Sequence, residues 1–171
     1  MAQALLVIDV QNDYFSGGNY PQWNGDVVLQ NIEAAIERAK AKGIAVILVR
    51  HVVDTANGPA PFFGKGTAGA EIHSRILAAA PGAPVIVKEH ADSFEQTTLE
   101  ATLAELGVTE LLICGMMTHN CITHTAISKA AEKYDVTVLA DCCTTVDQMI
   151  HQLALHALSI RVKLVPLGEA I

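Results

Sequence analysis

The sequence has 171 residues, of which 51% are hydrophobic and 17% charged, and its formal net charge is −7. That length and apolar content suit one domain with one substantial core and exclude a disordered chain. The acidic balance, without a Lys/Arg cluster, excludes nucleic acid and anionic membrane as expected partners, and no apolar run approaches the ~20 residues of a bilayer span.

ALLVID (4–9) is a short apolar strand that ends in an acid. Residues 26–42 carry helical periodicity, and Gly43 fits the position just past the last turn. IAVILVR (44–50) is a second buried strand. The segment 51–83 breaks the pattern with a run of glycines and prolines and then a short helical piece. Loops this long are functional or disordered. It is expected to be either a surface excursion or a lid that presents Phe62 and Phe63 to a pocket. PVIVKE (84–89) is the third strand, and residues 97–107 form a helix with Thr97 and Glu100 at capping-box spacing and Gly107 at its end. ELLICG (110–115), a helix over 118–133, VTVLAD (136–141), a helix over 146–159 and VKLVPL (162–167) complete the series.

Strands that are apolar throughout are covered on both faces. Alternating strands and helices then predict an α/β domain spanning 1–171: a doubly wound, mainly parallel six-stranded sheet in a Rossmann-like three-layer sandwich. Cys114, Cys121, Cys142 and Cys143 show no disulfide spacing, and MAQALLVIDV has no basic n-region. A reduced, cytoplasmic protein is expected. Its apolar fraction points to a homo-oligomer, a dimer or tetramer.

Ligands of open α/β sheets bind beyond the carboxyl ends of the strands. That rim collects Asp9, then Arg50 and His51, Lys88, the Gly115 turn leading to Cys121, and Asp141. If the first, third and fourth strands lie near the switch point, Asp9, Lys88 and Cys121 meet. A helix start and an ammonium both favour a thiolate, a nearby carboxylate can take the thiol proton, and backbone N–H groups can hold an oxyanion. This is nucleophilic acyl transfer. Taken singly, each residue has a plainer reading: Asp9 as a cap, Lys88 as a solvated strand end, Cys121 as packing.

Two rivals involve the histidines around the thiol. His119, Cys121 and His124 have too few partners for a zinc site. A Cys-His pair using His119 or His124 would leave Asp9 and Lys88 without a role. The glycine run 64–69 does not join a strand to a helix, so no nucleotide site is expected there. Cys142 and Cys143 are expected as loop thiols, and His151 and His156 as solvent or interface residues.

VIDVQNDYFSGG (7–18), Lys88 followed by SFEQTTLEATLAELGV (93–108), and GMMTHNCITHTA (115–126) together resemble the isochorismatase-like cysteine hydrolases, in order along nearly the whole chain. The resemblance implies Asp9 as general acid and base, Lys88 as its charged partner and Cys121 as nucleophile. It also implies a non-proline cis peptide between Met116 and Met117, with the Met117 and Cys121 amides forming the oxyanion hole. Gln11 and Asn12 are expected to order the loop after Asp9. The metal-dependent nicotinamidases of this family carry an Asp-x-His pair after the second strand. RHVVDTANG has only His51, so neither metal nor other cofactor is expected. Retention of the cysteine favours a C–N bond, amide or ureido, in a small-molecule substrate, cleaved through a thioester. A vinyl ether hydrolase and a non-catalytic binding domain are the alternatives. Gln11, Phe15, Trp23, Phe62, Phe63 and His119 are the candidate pocket residues, and the substrate itself is not legible.

Overall fold

A computed structural model describes residues 2–171 of the chain. Its six strands are β1 (Ala2–Ile8), β2 (Ala45–His51), β3 (Val85–Lys88), β4 (Val108–Met116), β5 (Asp135–Thr144) and β6 (Lys163–Val165). They form one sheet in the order β3-β2-β1-β4-β5-β6, every pair parallel. The expected doubly wound α/β sheet is the observed one. No helix among the described residues is long and apolar enough to cross a membrane.

Strand β1 shows why both faces are covered. Leu5 and Val7 point into one core, and Ala4, Leu6 and Ile8 into the other, as period-2 alternation requires. The first core is closed by helix α1 (Gly25–Ala41) through Val28, Leu29, Ile32 and Ile36, all nearly inaccessible. Burying each such side chain contributes about 2 kcal/mol. Leu99 and Leu103 of α3 (Leu99–Glu105), following the short α2 (Ser74–Ala79), close the second.

Three expectations needed correction. The helix over 118–133 is instead a π-turn (Thr118–Ile122), one α turn, α4 (Thr123–Ala126), and a 3-10 turn (Lys129–Lys133). Side chains take over the backbone bonds there. The Thr123 hydroxyl donates to the Thr118 carbonyl at 2.6 Å, and Ser128 both receives the Ala130 N–H and donates to Asp92 at 2.7 Å. The Thr97–Glu100 capping box does not form, because Glu100 pairs with Lys133 and the Thr97 hydroxyl is bonded to the Ser93 carbonyl at 2.6 Å. Cys142 and Cys143 are buried in β5, which runs past the expected end at 141, rather than in a loop. In α5 (Gln148–Leu158), Asp147 caps the Ile150 N–H at 2.9 Å. The last turn, α6 (Leu167–Ala170), is held by Asp141, whose Oδ1 accepts from the Leu167 N–H at 2.8 Å.

The switch point lies between β1 and β4, and Gly115 sets how closely they approach. A Cβ there would lie 2.0 Å from the Ile8 carbonyl oxygen, and φ is +120°. Gly115→Ala is therefore expected to lower stability by more than about 3 kcal/mol, by backbone clash and strain together. Gly82→Ala, at φ +75° with nothing within 4 Å of the added carbon, should lose only about 1 kcal/mol. Urea denaturation of the two variants measures the difference, and equal losses would refute this reading of the Gly115 contact.

Candidate active site

Asp9 follows β1 directly and has φ +54°, a left-handed conformation that non-glycine residues rarely adopt outside functional or tight sites. Its N–H stays tied to the Val49 carbonyl at 3.0 Å. Lys88 is the last residue of β3 and lies on that strand's buried face, since Val85 and Val87 are exposed and Ile86 and Lys88 are not. Cys121 lies in the π-turn after β4. The Met116–Met117 peptide between strand and turn is cis.

The three side chains converge. Lys88 Nζ is 3.0 Å from Asp9 Oδ2 and 3.2 Å from Cys121 Sγ. The meeting was conditional on the first, third and fourth strands lying near the switch point, but β3 is the sheet edge, separated from β1 by β2. Two strand spacings are about 9.6 Å, and the lysine and aspartate side chains together bridge them, meeting at 3.0 Å. The path of the lysine runs over the end of β2, where His51 is the register partner of Lys88. His51 Nδ1 accordingly lies 3.1 Å from Lys88 Nζ, 3.8 Å from Asp9 Oδ2 and 4.0 Å from Cys121 Sγ. This fourth group was named on the rim and then discounted. The signal that could have recovered it is the strand order, since any doubly wound sheet puts the end of β2 beside that of β1.

The histidines flanking the thiol lie elsewhere. His119 Nδ1 meets the Thr145 hydroxyl at 2.8 Å, and His124 Nδ1 meets the Asn120 carbonyl at 2.8 Å. His151 is buried against the Thr118 hydroxyl at 2.8 Å, not in solvent, and so fastens α5 to the π-turn that carries Cys121.

Among the pocket candidates, Gln11 is corrected. Its amide donates to the carbonyls of His51 at 2.7 Å and Ala70 at 2.8 Å, and accepts the His51 N–H at 2.8 Å. An amide saturated by backbone orders two loops and does not grip a ligand. Asn12 likewise donates to the Ala68 carbonyl at 2.8 Å. Phe15 packs edge-on against His73, with centroids 4.7 Å apart. Phe63 lies 6.0 Å from His51 and 4.4 Å from Tyr14, and its N–H is held by Asp13 at 2.7 Å. Phe62 stacks on Tyr20 at 4.9 Å, and Trp23 lies 5.9 Å from His151. The aromatic residues thus border the cluster at Phe63, and through Thr118–His151 at Trp23.

Burial and charge decide the protonation states. Asp9, Lys88 and Cys121 are each at most 1% exposed. Burial alone would raise the Asp9 carboxyl, but Lys88 and His51 more than offset it and hold it below its usual value. Burial would lower the Lys88 ammonium, yet Asp9 and Cys121 raise it. The thiol behaves otherwise. Burial and then the Asp9 carboxylate push Cys121 well above its ordinary value, against the pull of Lys88. Burial and the Asp9 carboxylate thus oppose the thiolate that the turn start and Lys88 favour.

Asp9, His51 and Cys121 offer donor atoms within 4.8 Å of one another, a spacing that suits a metal ion. Lys88 Nζ already lies 3.0, 3.1 and 3.2 Å from these donors. A divalent ion among them would sit against a buried ammonium, so the residues do not fit a metal.

Comparison with known proteins agrees with this fold. The profile of the isochorismatase domain matches residues 3–166. An isochorismatase family protein of Bacillus subtilis is 38% identical over 85% of this chain and 79% of its own. A probable inactive nicotinamidase of Arabidopsis thaliana is 33% identical over 86% and 83%. A ureidoacrylate amidohydrolase of Methylobacterium radiotolerans is 31% identical over 80% and 65%. A crystal structure of an isochorismatase hydrolase from Oleispira antarctica superposes with a TM-score of 0.88 at 32% identity, covering 99% of this chain and 95% of that one. A pyrazinamidase of Pyrococcus horikoshii in complex with zinc gives a TM-score of 0.85 at 27% identity, covering 97% and 99%.

The ion pair sets a pH window. The lowered Asp9 value stabilises the fold above the unfolded carboxylate value of about 3.9, and this is lost as pH falls through the folded value. The raised Lys88 value stabilises it below about 10.4, and this is lost as pH rises through the folded value. Asp9→Asn leaves the ammonium buried with neutral acceptors only and should lower stability by about 3 kcal/mol. Urea midpoints at pH 7 test this: a loss below about 1 kcal/mol, the range of exposed pairs, would show that the buried pair does not stabilise the fold.

Proposed function

The chain belongs to the isochorismatase family, and from that footing we propose that it is a cysteine amidohydrolase cleaving a C–N bond of a small amide or ureido compound. The observation that carries this reading is the single ammonium of Lys88, in contact with both the carboxylate of Asp9 and the sulfur of Cys121 out of reach of water. A second observation supports it: Asp9 Oδ1 is buried without any hydrogen-bond partner, while Oδ2 lies at ion-pair distance from Lys88. An orphaned carboxylate oxygen is a demanding acceptor, and a substrate N–H or an attacking water satisfies it.

The reaction runs in two stages. Asp9 takes the proton of Cys121, and the sulfur attacks the substrate carbonyl carbon. The oxyanion is held by backbone N–H groups of the turn, with Met117 and Cys121 the assigned donors. Asp9 returns its proton to the leaving nitrogen, the C–N bond breaks, and a thioester on Cys121 remains. Asp9 then removes a proton from water. The hydroxide attacks the thioester, the acid leaves, and Cys121 recovers its proton. Lys88 stays charged throughout. None of the three groups is exposed at rest, and the member of the cluster that solvent reaches is His51. The ureidoacrylate amidohydrolase among the relatives supports a ureido or amide substrate.

A panel of small primary amides and ureido compounds, read by ammonia release, is expected to return at least one substrate. On it, Cys121→Ala should lose at least about 10⁴-fold in kcat/KM with an unchanged urea midpoint. Intact mass after rapid acid quench should show the acyl group on wild-type Cys121. Wild-type turnover by Cys121→Ala would sink the nucleophile assignment. Silence across the panel would favour a non-catalytic domain.

A further inference from the structure

Four reactive groups meet at this site, and the amidohydrolase reading uses three of them. We propose that the fourth, His51, is its positioning residue: an imidazole with its proton on Nε2, whose Nδ1 fixes the Lys88 ammonium between Asp9 and Cys121. The catalytic consequence rests on the amidohydrolase reading, whereas the tautomer rests on geometry alone.

Donor counting comes first. An ammonium has three N–H groups and no lone pair, so a contact between Lys88 Nζ and His51 Nδ1 at 3.1 Å makes the imidazole nitrogen the acceptor. Its proton then belongs on Nε2. Without that acceptor, the third N–H of Lys88 would turn wholly to the carbonyls of His90 at 3.0 Å and Ala91 at 3.3 Å. Both belong to the loop after β3, and the ammonium would be drawn toward the sheet edge and away from the sulfur.

The ring is also held independently of its partner. His51 is the register partner of Lys88 across β2 and β3, and the saturated Gln11 amide clamps both its backbone N–H and its carbonyl. Its place is set by the sheet and by Gln11, so it can orient a lysine rather than follow one.

The opposite tautomer reverses the arrangement. An Nδ1–H would point at the ammonium 3.1 Å away, and the nearest anionic acceptor is Asp9 Oδ2 at 3.8 Å. That N–H would then compete with Lys88 for the oxygen that holds the ammonium in place. The titratable groups facing the ring are Asp9 from the end of β1, Lys88 from β3 and Cys121 from the π-turn; Phe63 adds an uncharged ring at 6.0 Å. His51 is also the member that solvent reaches, with a side chain 17% exposed against none for Asp9.

The test has two arms. Long-range ¹⁵N–¹H NMR of the wild-type imidazoles, with His51 assigned from His51→Gln, should show the Nε2–H tautomer at pH 8. The preference should weaken in Lys88→Met. An Nδ1–H tautomer in the wild type overturns the inference, whether or not any substrate is known and whether or not a variant folds. In the kinetic arm, on an amide from the panel, His51→Leu should lose about 100-fold in kcat with KM within about twofold, as expected for misplaced machinery. His51→Gln, whose carbonyl accepts from Lys88, should recover most of that loss. A Gln variant as slow as Leu refutes the positioning role. Silence of the whole panel would refute the amidohydrolase reading instead, and the NMR arm would still decide the tautomer.

Discussion

A lysine ammonium removed from water is the constraint on which the rest of this molecule depends. Burying such a group costs several kcal/mol even after relaxation unless acceptors surround it. Lys88 Nζ has five within 3.3 Å: Asp9 Oδ2, His51 Nδ1, Cys121 Sγ and the carbonyls of His90 and Ala91. They come from the ends of β1 and β2, the turn after β4 and the loop after β3. The charge can therefore be satisfied only when the sheet has its native order and register. A one-residue slip of β3 would exchange Lys88 with Val87 on the buried face and leave the carboxylate without its cation.

Close backbone approach at the switch point serves the same end. β1 and β4 meet where Gly115 has no side chain to separate them, so Asp9 and the Cys121 turn start from neighbouring points. The Gln11 amide brings the end of β2 and the Ala70 carbonyl to the loop after Asp9. The Asp13 carboxylate holds the Phe63 N–H and leaves no room for a side chain at Gly69. The motif after the first strand is thus a set of short tethers between the loop after Asp9 and the segment that carries Phe63, and Gln11 and Asn12 act on backbone, as the loop-ordering role expected of them requires.

The sheet was legible in the sequence because buried parallel strands are apolar throughout, and the rim rule then put Asp9, Lys88 and Cys121 at one end of it. Between 97 and 133 the pattern failed where side-chain bonds, local and distant, took over from it. Apolar periodicity over 118–133 predicts one helix, but Thr123 and Ser128 each redirect backbone bonds, and Ser128 does so with Asp92, far off in sequence. The rim rule also puts His51 at that end, but gives it no partner. Its meaning depends on lying between Asp9 and Lys88, which follows from strand order rather than from sequence neighbours. The histidines beside the thiol drew attention for the opposite reason, since adjacency in sequence put neither one on the sulfur.

Under the proposed amidohydrolase function, the same geometry accounts for how a thiol that burial pushes upward would act as a nucleophile. Forming an isolated thiolate here would require creating a new charge in a site closed to water, which is costly. Transfer of the proton from Cys121 to Asp9 creates none: the negative charge moves from Oδ2, 3.0 Å from the ammonium, to Sγ, 3.2 Å from the same ammonium. Both partners are fully buried before and after, so desolvation enters on both sides and largely cancels. What remains is the difference in intrinsic proton affinity, and a substrate can tilt it by placing an N–H on the orphaned Asp9 Oδ1 or a carbonyl carbon beside the sulfur. On this account reactivity is conditional on occupancy. A closed, uncharged thiol at rest and a reactive one with substrate bound are two states of one lysine-centred arrangement, which is why the fixed point of the site is the ammonium and not the sulfur.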